Sequence, residues 1–118
     1  MTVPDKEQRE FFRYQVRALV DFELPHEYKN AFASNIGEKG MLVEMHKPLP
    51  LGTKTVIRFM LPTLNYVFEI RATVLWAIQR SSEEKLAGLK DGMGIAFDSM
   101  EKDCREELDR YLKTLKET

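Results

Sequence analysis

Three arginines near the start of the chain, Arg9, Arg13 and Arg17, recur every four residues, and Phe11 and Phe12 lie between the first two. A guanidinium group binds phosphate through two parallel hydrogen bonds and stacks on planar rings. An arm carrying such groups can close over a phosphorylated, aromatic ligand. The same spacing also suits a solvated basic face paired with Glu7, Glu10 or Asp21. A second cluster, Asn35-Ile36-Gly37-Glu38-Lys39-Gly40, has turn chemistry. The Asn amide offers both a donor and an acceptor and can read the edge of a purine. Gly37 and Gly40 permit positive φ and close approach of a ligand to the backbone. By itself this stretch is equally well a hairpin turn.

Other chemistries find no support. His26 and His46 lack the i, i+4 spacing of a helical metal pair, and Cys104 falls on an apolar helical stripe, as core cysteines do. There is no G-x-S-x-G nucleophile elbow, Walker loop or dinucleotide fingerprint. Gly92-Met93-Gly94 leads into a strand and is no phosphate cradle. The sequence therefore predicts a protein that is not an enzyme, with no metal and no cofactor.

The 118 residues suit one domain, and 43% apolar residues are enough for a core. Eighteen basic against 19 acidic side chains, a net charge of −1, argue against a binder of nucleic-acid polymers. One Cys cannot close an internal disulfide. The N-terminus has no apolar signal region, and no run approaches the roughly 20 apolar residues of a membrane helix. The expectation is a cytoplasmic protein without membrane insertion.

Period-two patterning organises the chain. Residues 1–12 read as a flexible arm carrying the first Arg pair, with Phe11 and Phe12 packing onto the domain, and 13–118 as the domain itself. Strands are expected at Tyr14–Glu23, Ala31–Asn35, Met41–Met45, Thr53–Leu61, Tyr66–Ile78 and Met93–Phe97, with 24–30 a polar turn. The longest run places Tyr66, Phe68, Ile70, Ala72, Val74, Trp76 and Ile78 on one face. Residues 79–92 are polar, with a helical turn at Glu83–Leu89. Met100, Cys104, Leu108, Tyr111, Leu112 and Leu115 then follow a helical period over 99–116, with Asp98 or Ser99 as the cap. The expected fold is all-β: a small, closed, six-stranded antiparallel barrel with one C-terminal α-helix.

Taken together, the motifs resemble the PilZ domain, a bacterial receptor module for cyclic di-GMP. Arg9-Glu10-Phe11-Phe12-Arg13 matches the family's R-x-x-x-R arm, and Asn35 to Gly40 matches most of its [D/N]-x-S-x-x-G turn. Arg13 to Arg17 offers an alternative frame for the first motif. Pro48 to Thr53, Val74-Leu75-Trp76, Gly94 to Phe97 and the terminal helix extend the likeness over about residues 9 to 115. The resemblance implies that Arg9 and Arg13 contact phosphates and stack on guanine, that Asn35 bonds a guanine edge, and that Gly40 permits the tight turn. Ligand would fold the arm onto the barrel as a signal to a protein partner. Gly37 stands where the family has Ser, which removes one hydroxyl contact. A degenerate adaptor that binds no nucleotide and works through protein contacts, in motility or pilus assembly, is the alternative; for it the helix face would be the partner surface.

Overall fold

The alternation that opens the domain is realised as β1 (Tyr14–Glu23), in a computed structural model that describes residues 13–116. Ala18, Val20 and Phe22 are buried, while Arg17, Leu19 and Asp21 face outward. Strands β2 (Tyr28–Ile36), β3 (Gly40–Glu44), β4 (Lys54–Phe59), β5 (Phe68–Ile78) and β6 (Gly92–Ser99) follow. A short α1 (Ser82–Leu86) interrupts the β5–β6 connection, and α2 (Lys102–Lys116) ends the fold. The strands run in the order β1-β2-β3-β6-β5-β4 and close into a barrel through the β1–β4 ladder, every pairing antiparallel. Two three-stranded meanders, β1-β2-β3 and β4-β5-β6, thus meet at two seams. Closure leaves no strand edge open to another chain.

Inward positions fill the interior. Thr55, Ile57 and Phe59 of β4, with Leu61 beyond it, are buried on the expected face, as are Phe68, Ile70, Ala72 and Val74 of β5. The Phe59 and Phe68 rings stack at 5.1 Å, and Tyr66 meets Phe68 edge-on at 4.8 Å. Helix α2 lays Cys104, Leu108 and Leu112 onto this core, with Met100, Tyr111 and Leu115 packed beside them. Burial of a side chain such as Leu108 contributes about 1.5–3 kcal/mol. The helical stripe is therefore covered by the chain's own barrel. Burial also pushes the Cys104 thiol above its ordinary value, which disfavours the reactive thiolate.

Element limits differ from expectation where side-chain polarity misleads. Tyr28, Lys29 and Asn30, expected in a turn, are the first residues of β2 and pair with Glu23, Phe22 and Asp21. The turn itself is tighter, closed by the Leu24 amide donating to Glu27 O at 3.0 Å. Polar residues on an outward strand face carry no apolar signature, so only the ladder reveals them. Helix α2 begins at Lys102 rather than 99, because β6 continues to Ser99 in register with Arg71. Asp98 accepts a hydrogen bond from the Thr73 hydroxyl rather than capping the helix.

The β3–β6 seam contains a close backbone approach at Gly92. Glu44 pairs with Gly92, and a Cβ on Gly92 would stand 2.3 Å from Val43 O. That neighbour is main chain in a ladder and cannot swing aside. Gly92→Ala is expected to cost about 1–3 kcal/mol, read as an earlier midpoint in urea unfolding. A midpoint unchanged from the parent would show that the seam relaxes freely.

Candidate functional site

The two sequence clusters converge at one end of the β1-β2-β3 meander. Tyr14 pairs with Ile36, so Arg13, exposed and one residue earlier, lies just beyond the end of this ladder, as Gly37 does on β2. Irregularities in two adjacent ladders meet at Ser34. Along β1, Gln15 pairs with Asn35 and Ala18 with Ala33, which leaves Val16 and Arg17 opposite Ser34 alone. Along β3, Val43 pairs with Ala33 and Leu42 with Asn35, so Ser34 is the extra residue there too. Bulges of this kind re-aim the side chains beside them.

The re-aimed residues line a cleft of about 430 Å³ that brings Arg17, Ser34 and Asn35 together with Arg80 and Lys90 from the β5–β6 connection. Glu44 is the carboxylate in the same lining. Arg80 is paired with Glu84, which leaves Arg17 and Lys90 against Glu44, a small cationic excess that favours a phosphorylated ligand. Among the described residues the Asn35 carboxamide has no hydrogen-bond partner.

The turn of residues 37–39 is held firmly. The Gly37 amide donates to Gly40 O at 2.9 Å, the Phe97 amide to Lys39 O at 2.7 Å, and Arg105 Nη1 of α2 to Glu38 O at 2.8 Å. Gly37 and Gly40 are buried and do not line the cleft. Neither takes up the positive φ that glycine permits: among the described residues the positive-φ glycines are Gly52 (φ 85°) and Gly88 (φ 92°). Gly40 opens β3 in ordinary pairing with Ala96, so the strand rather than a left-handed turn sets its backbone. Arg9 and the arm of residues 1–12, with Phe11 and Phe12, lie outside the described residues.

The connection 79–92 is an ordered wall. Ser81 caps α1 by accepting from the Glu84 amide, while Glu84 accepts in return from the Ser81 amide at 3.0 Å, a capping box. Arg80 pairs with Glu84 at 3.3 Å, and Lys85 with Asp91 at 3.3 Å. Asp91 also accepts from the Arg80 amide at 2.8 Å, and its carbonyl accepts from the Met45 amide of the β3 end at 3.0 Å. The helical turn expected at Glu83–Leu89 is α1, displaced towards the capping Ser81 and ended before Gly88, whose positive φ reverses the chain. Arg80, Lys90 and Arg105 carry no motif, and nothing in the sequence sets them apart from other surface cations. Contact between segments as far apart as Glu38 and Arg105 is a product of barrel closure.

Hydrogen bonds from backbone amides hold both carboxyls down: the Ser81 amide keeps Glu84 below its ordinary 4.5, and the Arg80 amide keeps Asp91 below its ordinary 3.8. A carboxyl lowered on folding contributes stability that is present above its unfolded value and lost as pH falls through its folded value. The wall is therefore expected to loosen selectively below about pH 4. Hydrogen exchange, corrected for intrinsic rates, checks this: protection in 79–92 falls before that of β5 and β6, and Asp91→Asn shows the same pattern at neutral pH. Equal loss across the barrel would contradict it.

Among the described residues no helix is long and apolar enough to cross a membrane, and no group of His, Cys, Asp and Glu is arranged to hold a metal ion. No curated protein matches the chain. Comparison with protein families matches the PilZ domain over residues 7–114, nearly the whole length and inclusive of both Arg9–Arg13 and the Asn35–Gly40 turn. With the six-stranded barrel, its terminal helix and that match in agreement, the chain belongs to the PilZ domain family.

Proposed function

We propose that this protein is a bacterial cytoplasmic receptor for cyclic di-GMP that signals to a protein partner when ligand orders its N-terminal arm. The observation that carries the reading is the meeting of Asn35, whose carboxamide has no hydrogen-bond partner among the described residues, with Arg17 and Lys90 in one cleft. Arg13 and Arg9 bind the ligand's phosphates and stack on guanine, and Asn35 bonds a guanine edge. Arg17 adds a third guanidinium on the cleft side. The pinned turn, exposed at Glu38 and Lys39, gives the edge of the site a backbone whose ordering cost is already met by folding.

The adaptor alternative rests on Gly37 and on the face of Met100, Leu108, Leu112 and Leu115; the face gives it no support, since Leu108 and Leu112 are buried against the barrel and Met100 and Leu115 pack beside them. Gly37 also bears on affinity. Restoring the family's hydroxyl by Gly37→Ser adds one hydrogen bond, about 0.5–1.5 kcal/mol, or up to about tenfold tighter binding.

Isothermal titration with cyclic di-GMP, with cyclic di-AMP and GTP as controls, is the test. The expected result is selective, saturable binding at micromolar affinity or better, abolished in a folded Arg13→Ala variant and weakened at least tenfold in Asn35→Ala. Gly37→Ser binds more tightly than the parent. A folded Arg13→Ala variant that binds as well as the parent removes the assigned site. Absence of heat, with a melting temperature unmoved by excess ligand, ends the receptor reading and redirects the search to protein partners.

A further inference from the structure

Beside the Asn35 cleft lies a second groove of about 590 Å³, and the two are separated by a ridge made of Arg17, Glu44, Leu89 and Lys90, which line both. None of the four belongs to the arm pair Arg9–Arg13 or to the Asn35–Gly40 turn. Arg17 is already oriented: its guanidinium carbon stands 4.2 Å from the centroid of the Phe32 ring, a cation–π contact on the outer face. Phe32 covers one face of the guanidinium, and among the described residues no second ring contacts it. Glu44 is in cross-strand register with Phe32 and forms no ion pair among the described residues. Lys90 likewise forms none, whereas the neighbouring Arg80 and Lys85 are committed to Glu84 and Asp91.

We infer that this ridge is a guanine subsite of the receptor. It rests on the nucleotide reading above and extends it to residues outside the two motifs. The base stacks on Arg17 as the second layer of a Phe32–Arg17–base sandwich, with Leu89 closing the apolar side. The Glu44 carboxylate, an acceptor only, takes the N1–H and N2 amine donors of guanine. Adenine presents a bare acceptor nitrogen in place of N1–H and is repelled. Lys90 meets the adjoining phosphate as a mobile point charge on the anchored 79–92 wall. The partition of cations on that wall suits this assignment: those that build the loop are paired, and the one on the ridge is not.

The experiment is titration of cyclic di-GMP and cyclic di-AMP into the parent and its Glu44→Gln, Phe32→Ala, Lys90→Ala and Asn35→Ala variants, each with a melting curve. All substituted side chains other than Asn35 lie on the outer surface or loop, so melting temperatures close to the parent's are expected. Glu44→Gln should weaken cyclic di-GMP about tenfold or more and narrow its preference over cyclic di-AMP, a readout that a structural role would not move. Phe32→Ala and Lys90→Ala should each weaken cyclic di-GMP about three- to tenfold, and the Lys90 effect should shrink at high salt. If the parent binds and Asn35→Ala weakens it while the three ridge variants bind as the parent does, the ridge inference is overturned and the receptor reading stands. Weakening that tracks a lowered melting temperature, with base preference unchanged, also overturns it. A parent that binds neither nucleotide removes the receptor reading, and the ridge falls with it.

Discussion

The barrel depends on how closely β3 and β6 approach. The meanders β1-β2-β3 and β4-β5-β6 each bury one face, and either alone would leave two edges unpaired. One seam, between β1 and β4, is made by ordinary side-chain alternation. The other brings the β6 backbone so near Val43 O that a methyl group at Gly92 would overlap it. A residue without Cβ at this single position lets the ladder from Gly40↔Ala96 to Glu44↔Gly92 form, and the ring closes.

Much of the candidate site is a consequence of that closure. With β6 against β3, the connection 79–92 is drawn over the ends of β2 and β3, and the Asp91 carbonyl meets the Met45 amide. The wall then faces the bulged stretch around Ser34, and the cleft between them acquires Arg80 and Lys90. The same closure lays α2 near the 37–39 turn, where Arg105 reaches Glu38 O. The 37–39 turn is thereby pinned from strand, turn and helix at once. A preorganised turn limits the ordering cost of binding.

The polar network of the wall differs from a generic set of surface ion pairs. Exposed pairs usually contribute little, because solvent screens them and long side chains lose freedom. Glu84 is buried and Asp91 half-buried, and each accepts from a backbone amide as well as a cation. Backbone donors do not move independently of the fold, so the carboxyls shape the loop. The bulges act in concert: with regular pairing at Ser34, outward and inward positions would alternate unbroken, and Arg17 and Asn35 would not be turned towards the same cleft.

How much was legible in the chain follows from the range of each interaction. Strict alternation in β1, β4 and β5 marks the inward faces correctly, because a period of two is a local property of extended backbone. The helical stripe through Cys104, Leu108 and Leu112 is legible for the same reason. The family was readable from two short motifs whose order and spacing survive in linear sequence. Strand limits were less so: Tyr28–Asn30 and Asp98–Ser99 are held in strands by ladder hydrogen bonds from residues whose identities carry no signal. The backbone angles of Gly37 and Gly40 were not legible, since Gly allows positive φ but does not demand it. The docking of the 79–92 wall on β3, the ridge of Arg17, Glu44, Leu89 and Lys90, and the pin from Arg105 were decided by tertiary structure alone. They join segments tens of residues apart, and the only force that selects such partners is closure of the barrel around its core.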